Sequence, residues 1–156
     1  MCGLPCSGKT TLARQIEQER SALRLTPDEW IARLFGPDPS TETLDAARDP
    51  VEVALWDLAA RVLVLGVNVV LDFGFWSRGE REEFRARAAR LGARSELHFL
   101  DVPEKVLLAR LAVRNAQRPP GTFRIDEARL RLWYRLFEPP GRGELCPQEP
   151  SEGYSG

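Results

Sequence analysis

Gly3-Leu4-Pro5-Cys6-Ser7-Gly8-Lys9-Thr10 is the stretch on which the reading of this chain turns. It meets the pattern G-x-x-x-x-G-K-[ST] at every fixed position. The glycines let the backbone curl until several N–H groups converge on one centre, a nest for phosphate oxygens. A helix beginning near Lys9 aims the positive end of its dipole at the same centre. In that geometry Lys9 reaches the β- and γ-phosphates of a nucleotide, and the Thr10 hydroxyl holds Mg²⁺. Thr11, the next hydroxyl, faces the α-phosphate.

Residue usage points the same way. Of 22 basic residues, only Lys9 and Lys105 are lysine. A chain that otherwise writes positive charge as arginine places lysine where a compact, flexible ammonium is wanted. Upstream of the loop stand only Met1 and Cys2, whereas a phosphate loop normally follows a buried apolar strand. The expectation is either a start lying further upstream or a sheet without its central strand.

At 156 residues the chain is long enough for one domain with a real core. Its apolar and charged fractions, 43% and 29%, are those of a globular protein. A net charge of −1 carries no nucleic-acid or membrane footprint. No apolar run reaches the ~18 residues that a membrane span needs, and no leader fits ahead of the loop. The three cysteines, Cys2, Cys6 and Cys146, are odd in number and lack metal-ligand spacing, which predicts a reduced, cytoplasmic setting.

Along the chain, helical and strand patterns alternate. Residues 9–20 read as a helix and 22–26 as a short strand. Thr26-Pro27-Asp28-Glu29 opens a second helix as a capping box, and 36–40 break it. Residues 40–49 are ambiguous. Asp49 caps a helix over 51–65 with Pro50 at its first position. Residues 67–72 read as a buried parallel strand. Ser77 opens a helix to about Leu91, 95–100 form another strand, and a helix follows from Pro103. Asp126 caps the last helix, which Pro139 ends. The fold class is α/β, with a mostly parallel sheet between helical layers. The domain spans 1–138, with a lid at about 114–125 and a disordered tail over 139–156.

In such sheets ligands bind at the carboxyl ends of the strands. Asp28 follows one strand and Asp72 ends the next. Asp28 suits the proton acceptor when a γ-phosphoryl group moves to an alcohol. Asp72 suits a Mg²⁺-water ligand or a second substrate contact. Arg110, Arg114, Arg118 and Arg124 surround the lid, where arginines neutralise transferred charge. Trp30, Phe73, Phe75 and Trp76 lie past the same strands and either wall an acceptor pocket or pack in the core. His98, the only histidine, reads as structural.

The segments GLPCSGKTTLA (3–13), LTPDEW (25–30), VVLDFGFWSR (69–78) and RNAQRPPGTFRID (114–126) together resemble P-loop kinases of the nucleoside-monophosphate-kinase type. More narrowly, the chain resembles the AAA_33-type "predicted kinase" ATP-binding proteins, relatives of polynucleotide 5′-kinases, chloramphenicol phosphotransferase and zeta-toxin kinases. The resemblance covers about 1–140. It implies an ATP·Mg²⁺ phosphotransferase in which Gly3, Leu4, Pro5, Cys6, Ser7, Gly8, Lys9, Thr10 and Thr11 bind nucleotide. By the same resemblance Thr10 meets Mg²⁺, Lys9, Asp28, Arg114 and Arg118 are the catalytic residues, and Asp72 joins the metal site only on the reading of its strand end. The chain departs from that pattern in its absent first strand, and in 144–156, which do not read as the usual closing strand. A small hydroxylated acceptor fits the acidic balance better than a polynucleotide, which needs a basic groove. The alternatives are a non-catalytic nucleotide-binding switch and an N-terminally shortened, inactive kinase.

Overall fold

The computed structural model describes residues 1–36, 39–117, 119 and 121–147. The elements in chain order are α1 (Lys9–Glu19), β1 (Leu23–Leu25), α2 (Pro27–Phe35), α3 (Thr41–Val64), β2 (Val69–Leu71), α4 (Arg78–Arg90), α5 (Glu104–Gln117), α6 (Glu127–Leu136) and a 3₁₀ turn at Arg142–Glu144. Among the described residues no helix is long and apolar enough to cross a membrane.

β1 and β2 pair in parallel, Leu23 opposite Val69 and Leu25 opposite Leu71. Cys2 then forms parallel bridges to Gly74 on one side and Phe99 on the other. Its N–H donates to His98 O at 2.8 Å, and its carbonyl accepts from Leu100 N at 3.1 Å. Met1 and Cys2 thus lie between the β2 segment and 97–100, in the middle of the sheet. The order across it is β1, β2, Met1–Cys2, then 97–100.

The expected strand over 95–100 is therefore reduced to isolated bridges. A ladder needs a neighbour of its own length, and the neighbour here is two residues long. Where the sequence leads one to expect no first strand, Cys2 forms isolated bridges to both neighbours and holds the central position.

Helices cover both faces. Cys2, Leu25, Ile31, Val51, Leu55, Phe73 and Phe75 form the core beneath α2, α3 and α4. Met1, Ala13, Ile16 and Val70 form a smaller cluster beneath α1. Leu4, Leu107, Leu111 and Leu130 join the loop to α5 and α6. This is an α/β arrangement of helix, sheet and helix layers.

Three local readings change. α3 begins at Thr41 rather than at Pro50, because Ser40 caps it by accepting from Thr43 N at 3.2 Å. Pro50 lies inside the helix, at the cost of one backbone hydrogen bond. The stripe Ala47, Val51, Leu55, Ala59, buried at helical spacing across that point, carries the helix through. Thr26 makes no side-chain cap to α2; its hydroxyl accepts from Arg24 instead. Finally, 139–147 depart from a disordered tail. The Glu144 carboxylate accepts from Arg81 Nε at 2.7 Å and Nη2 at 3.2 Å, which anchors the 3₁₀ turn to α4. Residues 148–156 of that segment lie outside the described residues.

Candidate functional site

The loop from Gly3 to Gly8 takes a conformation its sequence dictates. Gly3 has φ 143° and Gly8 φ 101°, in the left-handed half of backbone space. A Cβ on Gly3 would stand 3.0 Å from Ser7 Oγ and 3.2 Å from Leu100 O, so only glycine fits there. Cys6, with φ 66°, accepts the same strain without being glycine.

Gly8 precedes α1 and supplies no side-chain cap. The first N–H groups of α1 are left to a ligand or to water. Ser7 Oγ is buried in the loop and has no hydrogen-bond partner among the described residues. An anion seated at the helix end would satisfy such donors.

Lys9 curls back over the loop and donates from Nζ to Leu4 O at 2.8 Å. Burial lowers its pKa, while Asp72 and Asp28 pull it back up. A phosphate would add a direct counter-charge to these.

Thr10 and Asp72, 62 residues apart in sequence, meet at the C-terminal end of β2. Thr10 Oγ1 donates to Asp72 Oδ2 at 2.6 Å. The hydroxyl proton is thereby spent on the carboxylate, and the oxygen lone pairs are left for a cation. Asp72 is 6% exposed, yet its Oδ1 has no partner among the described residues. A buried carboxylate oxygen without a donor is costly unless a cation or a bound water completes it. A hydroxyl, a carboxylate and an oxygen donor set match what Mg²⁺ requires.

Asp28, on the first turn of α2, is held by Arg48 of α3, with Nη2 2.7 Å from Oδ1. Arg48 also reaches Glu52 at 3.3 Å. Burial pushes Glu52 up to about 7, against the pull of Arg48 and with help from the Glu80 and Asp49 charges. The sequence reading missed Arg48 and Glu52. An unbroken helix through Pro50 would have shown them as an i,i+4 pair.

The arginines expected around a lid divide. Arg110 Nη1 donates to Cys6 O at 3.2 Å and Ser7 O at 3.3 Å, buttressing the loop from α5. Arg114 donates to Phe123 O at 2.9 Å and lies 3.7 Å from Cys6 Sγ. Its Nε is buried without a partner among the described residues. Arg124 is exposed, and Arg118 lies outside the described residues. Asn115 of α5 donates to Ile125 O at 2.7 Å. Phe123 then inserts into the main core.

Of the aromatics past the strand ends, most are packed against other rings. Phe73 and Phe75 are buried and stacked, with ring centroids 5.7 Å apart. Trp76 packs on Trp133 at 5.2 Å. Only Trp30 of that group stays exposed, at 40%. Thr11 is exposed on α1, one residue beyond Thr10.

The model of the AAA_33 family, described as an AAA domain, matches residues 1–140. That match contains the loop, both aspartates and residues 114–125. No curated protein matches the chain.

Proposed function

The chain belongs to the AAA_33 family of AAA domains, and on that premise we propose that it is a kinase moving the γ-phosphoryl group of ATP to a hydroxyl of a small acceptor. The contact of Thr10 with Asp72 beside an uncapped α1 carries this reading. Gly3 to Thr11 would wrap the phosphates, with N–H groups of the loop and of the α1 terminus as donors. Thr10 and Asp72 would hold Mg²⁺, whose charge offsets that of the phosphates.

Asp28 would take the proton of the acceptor hydroxyl as its oxygen bonds to phosphorus and ADP departs. Its electrostatic pull on Lys9 supports a place on the same side of the sheet. Arg48 orients that carboxylate and shares it with the acceptor. Lys9, Arg114 and Arg118 would offset charge on the transferring group.

A second reading has its own support. The Asp28–Arg48 pair at 2.7 Å occupies the carboxylate that a base needs free. That favours a nucleotide-binding switch without an acceptor.

The two separate by experiment. ADP release is followed across a panel of hydroxylated small molecules and a 5′-hydroxyl oligonucleotide, with Asp28→Asn alongside. The kinase reading expects acceptor-stimulated turnover that Asp28→Asn lowers by about 10²- to 10³-fold, with ATP binding retained. Turnover that no acceptor stimulates, equal in both proteins, favours the switch.

A further inference from the structure

Arg48 is held between two carboxylates. Its Nη2 lies 2.7 Å from Asp28 Oδ1, and its Nη1 lies 3.3 Å from Glu52 Oε1. A guanidinium keeps its charge at every working pH, so it is divided between its partners and never neutralised by losing a proton. What one carboxylate gains from it, the other loses.

Glu52 is an unusual residue for its place. Its side chain is 18% exposed, against 37% for Asp28 and 41% for Arg48. It stands on α3 between Val51 and Leu55, both buried. Arginine at i and glutamate at i+4 is the weaker order for an ion pair along a helix, so stabilising α3 does not account for the contact.

Three helices bring charge to this point. Burial opposes the Glu52 charge and pushes its carboxyl up to about 7; Arg48 pulls it down, while Glu80 of α4 and Asp49 of α3 push it up. Glu80 is itself raised by burial, although it accepts from Trp76 N at 2.9 Å and feels Arg81 and Arg48. Asp28, on α2, is coupled to Glu52 through Arg48.

We propose, resting on the kinase reading above, that Glu52 is a positioning residue: its carboxylate draws the Arg48 guanidinium away from Asp28 and so frees Asp28 to take the acceptor's proton. In the transfer that proton passes from the acceptor hydroxyl to Asp28, the hydroxyl oxygen bonds to the γ-phosphorus, and the bond to ADP breaks. With Glu52 protonated, Arg48 turns to Asp28, and the base is occupied and weakened by the adjacent cation. With Glu52 ionised, the cation is divided and Asp28 gains basicity. The structure, with its shorter bond on Asp28, shows the masked arrangement.

Glu52→Gln stands in permanently for the protonated carboxyl. Acceptor-stimulated ADP release is measured in wild type and Glu52→Gln from about pH 6 to about pH 8.5, with kcat and the KM for ATP separated. The proposal expects wild-type kcat to climb about tenfold through about pH 7 while the variant stays level. The two should agree near the acid end, with the same KM for ATP throughout. Arg48→Lys, whose single ammonium cannot fork to two carboxylates, should lose the climb as well. A deficit in Glu52→Gln that is equal at every pH is a structural effect and overturns the proposal. So does a climb that Glu52→Gln retains.

The carboxyl ¹³C resonance of Asp28, followed over the same range, separates this inference from the reading beneath it. In wild type it should show a step near pH 7 that Glu52→Gln lacks. That step without acceptor-stimulated turnover overturns the kinase reading and upholds the coupling of Glu52 to Asp28. Its absence overturns the coupling, whatever the turnover.

Discussion

The Thr10 hydroxyl donates to Asp72 Oδ2 at 2.6 Å and so ties the first turn of α1 to the end of β2. The carboxylate's other oxygen is buried without a partner among the described residues. Asp72→Asn keeps an acceptor for Thr10 but removes the charge. Titration of ATP by calorimetry, with Mg²⁺ and with EDTA, should show wild-type affinity rising with the metal. In Asp72→Asn that gain should shrink by at least about tenfold, the loss of one charge-assisted contact. An undiminished Mg²⁺ effect would remove Asp72 from the metal site.

Glu52 supplies a pH test. Its pKa rises from 4.5 to about 7 in the folded chain, because burial opposes its charge. The folded state therefore holds an extra proton between those values, and stability falls as pH rises across them. This contribution is complete below about 4.5 and gone above about 7. Urea unfolding of wild type and Glu52→Gln over pH 4 to 8 should give curves that diverge, wild type losing ground towards neutrality. Parallel curves would show that Glu52 titrates normally.

Glu144 has the opposite sign. Its bonds to Arg81 bring its pKa from 4.5 down to about 2. That stability is present above 4.5 and lost as pH falls towards 2. The Arg81 side chain is 1% exposed, so Glu144→Gln leaves a buried guanidinium without its counter-charge. A loss of about 3 kcal/mol at neutral pH is expected from denaturant unfolding. A loss below about 0.5 kcal/mol would mean that water replaces the carboxylate.

The loop and the alternation of helix and strand were legible because each residue there acts locally. Gly3, Gly8, Lys9 and Thr10 follow from backbone conformation and helix polarity alone. The partners of Asp28 were not legible. Arg48 reaches it only because α3 runs unbroken through Pro50, and the packing of Val51 and Leu55 decides that. Propensity at Pro50 argued for a helix start, and tertiary burial overrode it. The sequence leaves Phe73 and Phe75 open between a pocket wall and the core for a related reason. Aromatic residues after a strand end fit a pocket wall and a core equally well, and Phe84 of α4 settles them in the core. The central place of Met1 and Cys2 depends on two segments, around Gly74 and Phe99, that no local pattern ties to them.

Calorimetric titration of ATP with Mg²⁺ into wild type and Lys9→Ala is the most direct measurement of all. The loop places the half-buried Lys9 ammonium on Leu4 O at 2.8 Å. Wild type should bind one ATP per chain, and Lys9→Ala, equally folded by circular dichroism, should give no measurable heat. Absence of binding in folded wild type, or unchanged affinity in Lys9→Ala, would contradict a phosphate-binding role for this loop.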